Sequence, residues 1–378
     1  MTKLVLSTGN IMGDRSMIRQ PHGQKSNVEL VSSLRTNIQA SQAAASAQLH
    51  GSYDRIHPNT TYKHWTSSSV PFPPDDPDER TLYIPALDPG SIGLQEPRSA
   101  YDITVKLFYL PGVEPHKRCQ QTKEAIDLVL RELRVPTIDL LIISFPGIAH
   151  DAEDTLHPYS DDEDDEDMRN PLVPPPEGLG SQIQTWRTLE TLHDQGLILM
   201  LGLAEFSAAR LTKFVPKTRV KPGVDQINVR DCCIVPNALV KFAKREGIEL
   251  LTHNDCSNIL PRGTVRELLG PSAPASLSSS GASATTNANG DGSINGHSAL
   301  SASLGGAGIL APDSRTGEKR KMHPDSDVED TRANGEPEAE GLKGEVEPQW
   351  VIKYTAVVKN RGAVENKGYF AEAELTDA

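Results

Sequence analysis

The stretch 137–148, TIDLLIISFPGI, decides the fold. Ile138, Leu140, Leu141, Ile142 and Ile143 run together, with a single acid, Asp139, near the start. A strand covered on both faces has this composition, because neither face meets water. Such strands build parallel α/β sheets, whose chemistry lies at the C-terminal strand ends. Here that end reads Ser144-Phe145-Pro146, without His, Asp, Glu or Lys. Either the working residue stands elsewhere or the fold has lost its chemistry.

Working outward, four more strands are expected at 103–109, 198–203, 224–228 and 248–252. Helices fall between them. Over 119–134, Ile126, Val129, Leu130 and Leu133 form an i, i+3, i+4, i+7 stripe. Over 182–195, Ile183, Trp186, Leu189 and Leu192 recur every third residue, and Gly196 is a stop. Ser207 is expected to cap 208–214, and Asn237 to cap 238–246 before Gly247. Strand–helix–strand repeats of this length imply right-handed βαβ units and a parallel sheet. The alternation alone leaves a closed barrel and an open doubly wound sheet both possible.

Around this run, three segments are expected to stay unpacked. Residues 51–100 hold eight prolines, which break helices and sheet ladders. Residues 151–180 join an acidic run, ten acids within 151–168, to a proline triplet and read as an exposed loop. Residues 265–346 centre on a Ser/Ala/Gly/Asn tract too poor in apolar surface to offset chain entropy. All three interrupt what is expected to be a single domain over 1–378.

The net charge of −13 argues against nucleic-acid binding, since phosphate needs Lys and Arg. Without the ten acids of 151–168, the remaining 38 cations and 41 acids nearly balance. Four cysteines without a C-x-x-C give neither a disulfide framework nor a zinc site, and fit a reducing compartment. The longest uncharged apolar run, Leu197 to Ala204, is too short to span a bilayer, and MTKLVLSTGN lacks a signal-peptide core. The expectation is a cytoplasmic protein without membrane contact. No G-x-G-x-x-G follows a strand and no P-loop occurs, which weakens a nucleotide-fold reading.

The segments VKLFYL (105–110), TIDLLIISFP (137–146), WRTLETLHDQGLILMLGLAEF (186–206) and VDQIN (224–228) resemble, in order, the aldo-keto reductase barrel. That resemblance implies a TIM-type (β/α)8 barrel. More specifically, LSTGNIM (6–12), the stretch 220–255 and WVIKYTAVVKNRGAVENKGY (350–369) resemble the regulatory (modifier) subunits of glutamate–cysteine ligase, non-catalytic relatives of those reductases. The resemblance implies a binding protein whose partner is the ligase's catalytic subunit, in a heterodimer. It also implies no cofactor, better glutamate affinity in the partner and weaker feedback inhibition by glutathione.

Reductases of this type use a Tyr to supply a proton, a Lys to lower its pKa, an Asp to orient the Lys and a His to orient substrate. By resemblance, Lys106 matches the Lys position, with an ordinary ion-pairing Lys as the plain alternative. The His position falls on Ser144. Asp78 and Tyr83 have the D-x-x-x-x-Y spacing, but YIPALD follows in place of the expected G-N-E. On the cofactor side, Ala204-Glu205 replaces a Ser-Asn pair and Asn228 replaces a Glu, while Gln226 remains. An active NADP-dependent reductase using Tyr83, Lys106 and Asp78 is the competing reading.

A polar cluster remains at the strand ends. Cys232 and Cys233 follow 224–228, and His253, Asn254, Asp255 and Cys256 follow 248–252. Adjacent cysteines are poorly placed to chelate one tetrahedral metal, so no metal is expected. Inert buried thiols, or redox-sensitive or partner-facing cysteines, are the open readings. Lys353, Lys359, Arg361 and Lys367 form a basic run in an acidic chain, suited to an acidic partner or an anion. The plain alternative there is a solvated hairpin turning near Arg361-Gly362.

Overall fold

The computed structural model describes residues 2–13, 26–50, 61–70, 80–87, 93–149, 178–228, 235–256, 258–271, 306–311 and 341–376. Asp78, Cys232, Cys233 and most of the three segments expected to be unpacked lie outside the described residues.

The expected βα run is present. Strand β4 (Tyr101–Tyr109) is followed by helix α2 (Arg118–Leu133), β5 (Ile138–Ser144), α3 (Leu179–Asp194), β6 (Ile198–Ala204), α4 (Ala208–Phe214), β7 (Val224–Asn228), α5 (Asn237–Glu246) and β8 (Glu249–His253). Neighbours from β4 to β8 pair in parallel. The opening stretch supplies β5, where Ile138, Leu141, Ile142 and Ile143 are fully buried. Its one acid is tied down: Asp139 Oδ2 accepts from Ile103 N at 2.6 Å and from Arg98 Nη2 at 2.8 Å.

Local chemistry sets the helix ends. Ser207 caps α4, its side chain accepting from Arg210 N. Gly196 and Gly247 follow α3 and α5 with φ of 74° and 72°, a conformation that glycine takes without strain. Asn237 does not cap α5. The extended residue before that helix is Pro236, which has no side-chain acceptor, and Asn237 is already in the first turn.

The rest of the sheet is antiparallel or mixed. Among the described residues, strands β1 (Thr2–Ser7), β2 (Ser67–Ser69), β3 (Arg80–Ile84), β9 (Glu345–Val358) and β10 (Ala363–Thr376) complete ten strands in the order β2-β3-β1-β10-β9-β4-β5-β6-β7-β8. The β9–β10 hairpin does turn near Arg361-Gly362, but it is not solvated along its length. It lies mid-sheet, with β9 antiparallel to β4 and β10 antiparallel to β1. Trp350, Ile352, Tyr354, Ala356 and Val358 join the core shared with α2 to α5. Val351, Tyr369, Ala371 and Ala373 join a second core with α1 (Ser26–His50) and α6 (Thr264–Leu269), whose Leu30, Leu34, Leu268 and Leu269 are buried. Helices therefore cover both faces, and each strand of the hairpin contributes apolar side chains to both cores.

Two segments expected to stay unpacked contribute to this core. Within 51–100, the proline-free run 80–84 forms β3 and pairs parallel to β1. Within 265–346, Leu268 and Leu269 on one side of the Ser-rich tract and Ile309 and Leu310 on the other are all buried. Leu310 bridges Leu342 in parallel. Among the described residues, no helix is long and apolar enough to cross a membrane.

One buried acid of the hairpin gives a pH test. Glu372 is 1% exposed, and its Oε2 accepts from Trp350 Nε1 at 3.1 Å. Burial pushes its carboxyl up to about 8, Glu124 adds to the rise and Lys3 opposes it. Between the ordinary value of 4.5 and about 8, the native chain keeps a proton that the unfolded chain has lost. Stability should therefore fall as pH rises through that window. Glu372→Gln, which mimics the protonated acid, should match the parent near pH 5 and exceed it by a few kcal/mol above pH ~8. Urea unfolding at the two pH values checks this.

Candidate functional site: a buried charge network at the strand ends

Lys106 of β4 is in register with Lys353 of β9, which is in register with Tyr369 of β10. Paired residues point to one face, so these three side chains converge beside α1. Lys106 Nζ donates to Gln226 Oε1 at 2.8 Å and to Asp255 Oδ2 at 3.0 Å. Lys353 Nζ donates to the other oxygen, Asp255 Oδ1, at 2.9 Å. One carboxylate thus bridges two ammonium groups, and Lys106 and Asp255 are each 4% exposed.

His253 closes the turn that presents Asp255. Its Nδ1 accepts from Asp255 N at 3.0 Å, and its Nε2 stands 2.6 Å from Glu205 Oε1. Glu205 follows β6 with φ of 65°, unusual for a residue with a Cβ, and its Oε1 accepts from Asn228 N at 2.8 Å. The Glu205 carboxylate is therefore partnered. Its neighbour Asp225 is fully buried, accepting from Phe206 N at 3.3 Å. Burial raises the Asp225 carboxyl well above its ordinary value, and Glu205 adds to the rise.

A second layer ties the network to α1. Tyr369 Oη donates to Glu29 Oε1 at 2.7 Å, and Lys367 Nζ reaches the same oxygen at 2.6 Å. Cys256 N donates to Ser26 Oγ at 2.9 Å and Cys256 Sγ to Asn27 Oδ1 at 3.3 Å. Asn254 is exposed beside it. Lys106, Lys353 and Lys367 face Asp255, Glu205 and Glu29, so the fixed charges balance.

The electrostatics favour a closed ion-pair lattice. Burial alone would raise Asp255, but Lys106 and Lys353 outweigh it and hold the carboxyl well below its ordinary value. Burial pulls the Lys106 ammonium below its ordinary value while Asp255 opposes. Burial, with Glu29 adding to it, pushes the Tyr369 hydroxyl upward, the wrong direction for a proton donor matched to neutral pH.

The residues of a reductase are not brought together. Tyr83 on β3 is separated from β4 by β1, β10 and β9. It pairs with Val5 and packs against the core of α2 to α5, whereas Lys106 shares the opposite face with Phe108. Ser144 pairs with Phe108 on the Lys106 face. The C-terminal cations are also spoken for. Lys353 and Lys367 hold Asp255 and Glu29, Lys359 Nζ lies 3.4 Å from Asp102, and Arg361 pairs with Glu96. The expected open basic patch is largely neutralised. Among the described residues, no group of three His, Cys, Asp or Glu is arranged to hold a metal.

Lys353 and Lys367 were legible only as surface cations, and Glu29, Ser26 and Asn27 gave no signal. Their partners lie as many as 340 positions away in the chain, beyond any local pattern.

Residues 87–258, under half of the chain, match the model of the aldo/keto reductase family. Among curated proteins, the chain is similar to a putative glutamate–cysteine ligase regulatory subunit of Schizosaccharomyces pombe. That match is 28% identical over 176 residues, 46% of this chain and 60% of the relative. It is also similar to the glutamate–cysteine ligase regulatory subunit of Homo sapiens, 22% identical over 280 residues, 73% of this chain and 68% of the relative. The chain thus spans under two thirds of the first relative's length. Among solved structures, the aldose reductase of Schistosoma japonicum aligns with a TM-score of 0.28 at 24% identity, over 39% of this chain and 43% of that one.

Proposed function

We propose that this chain, with an aldo/keto reductase domain over residues 87–258, is a non-catalytic regulatory subunit of glutamate–cysteine ligase. The similarity to named regulatory subunits supports the role. The observation that carries the loss of chemistry is the state of Lys106: both its partners are structural, and Tyr83 lies on the other face of the sheet. The partner is the ligase's catalytic subunit, held as a heterodimer. Binding shifts that subunit toward a state with higher glutamate affinity and weaker inhibition by glutathione. Such coupling amounts to about 1–3 kcal/mol of differential contact and requires no catalytic group here.

The isolated chain should show no NADPH oxidation above background with a range of aldehydes. Ser144→His should not create it, because Lys106 and Glu205 stay committed to Asp255 and His253. Turnover that Tyr83→Phe abolished would establish the reductase reading instead.

A further inference from the structure

The two basic surfaces of this acidic chain differ in one respect. The cations of the hairpin, Lys359 and Arg361, already have acid partners. The α4–α5 face does not balance. The described residues between 207 and 246 hold eight cations against two acids, and one of those acids, Asp225, is buried. Glu246 is shared by Lys221 and Arg245, and Arg219 is held by Asp194. Lys213, Lys217, Lys241 and Lys244 are exposed, with no carboxylate partner among the described residues.

These four lysines belong together. Helices α4 and α5 touch, Lys213 lies in the last turn of α4, and Lys217 follows it. Lys241 and Lys244 are three residues apart and so share one face of α5. Val240 is 43% exposed beside them, an apolar anchor among the charges. The dipole at a helix C-terminus favours Lys213 and Lys244, but it leaves Lys217 and Lys241 unexplained. Ten of the chain's acids stand in 151–168 and the rest of its charge nearly balances, so an uncompensated lysine face is a local concentration of positive charge that selects both the partner's charge and its orientation.

We propose that the α4–α5 face, through Lys213, Lys217, Lys241 and Lys244 around Val240, docks a carboxylate-rich surface of the ligase's catalytic subunit. The inference rests on the function proposed above and adds the interface to it. Each contact is a rim ion pair, so the four together supply roughly ten- to hundredfold in affinity, and most of this is screened at high salt.

The test measures association of the purified catalytic subunit with the full chain. It compares the parent, a variant with all four lysines changed to Glu, a milder Lys241→Gln/Lys244→Gln variant, and a Lys359→Glu/Arg361→Glu control. The expected result is roughly ten- to hundredfold weaker binding for the fourfold variant and a smaller loss for the Gln pair. The control should be unchanged, and the gap should shrink between about 0.05 and 0.5 M salt. Parent-like binding by both lysine variants would overturn the interface and leave the regulatory role standing. Loss in the hairpin control alone would move the interface there. No binding by the parent would end both proposals.

Discussion

Asp255→Asn should cost the chain about 3–5 kcal/mol of stability, because it strands buried charge. The carboxylate is the common acceptor of Lys106 and Lys353, at 3.0 and 2.9 Å. An amide of the same size leaves the buried Lys106 ammonium and the partly exposed Lys353 ammonium facing each other without a counter-charge. Adding Lys106→Met to the variant should recover part of the loss, since a buried charge without a partner costs more than an apolar replacement. The folded pKa of Asp255 is depressed, so its contribution is present above the unfolded value of 3.8 and is lost as pH falls. The gap between parent and Asp255→Asn should therefore be full near neutrality and narrow in acid. Urea unfolding followed by tryptophan fluorescence measures both effects. A loss under about 1 kcal/mol at neutral pH would mean that the network is solvated and the account of Lys106 is mistaken.

Trp186→Ala should cost a similar amount for a different reason. Trp186 is 1% exposed, meets Phe214 edge-on at 5.3 Å, and donates from Nε1 to the Val220 carbonyl at 2.9 Å. Truncation removes a large buried ring, leaves a cavity between α3, α4 and the entry to β7, and orphans a carbonyl. Losses of roughly 3–5 kcal/mol follow such changes. Trp186→Phe keeps most of the packing and should lose chiefly the hydrogen bond, about 1 kcal/mol. Thermal unfolding of the two variants separates packing from bonding. Equal losses would mean that the ring contributes little beyond its N–H.

The βα half of the molecule was legible because its signals are local. A short apolar run such as 138–143, bounded by Pro136 and Pro146 and rich in Ile, reads as a covered strand, and the stripe of α2 and the glycines after α3 and α5 act within a few residues. The hairpin was legible as strands but not as the centre of the sheet, since alternation names a strand and not its neighbours. Glu372 and Glu374 are buried in β10 with partners from distant positions, the indole of Trp350 and the ammonium of Lys117. The fate of Lys106 was half legible. Lys106 itself could be singled out by resemblance, but Lys353, Glu29 and Tyr369 meet it only after the chain has crossed the sheet. Asn237 failed as a cap because Pro236 holds the position that capping requires.

The proposed role is binding to the ligase's catalytic subunit. The most direct measurement mixes the chain with the ligase's catalytic subunit and records both association and ligase activity against glutamate. A regulatory subunit should form a complex at micromolar concentration or below and lower the glutamate half-saturation by roughly 5–150-fold. No association at micromolar concentration, or a complex whose glutamate and glutathione responses match those of the catalytic subunit alone, would contradict it.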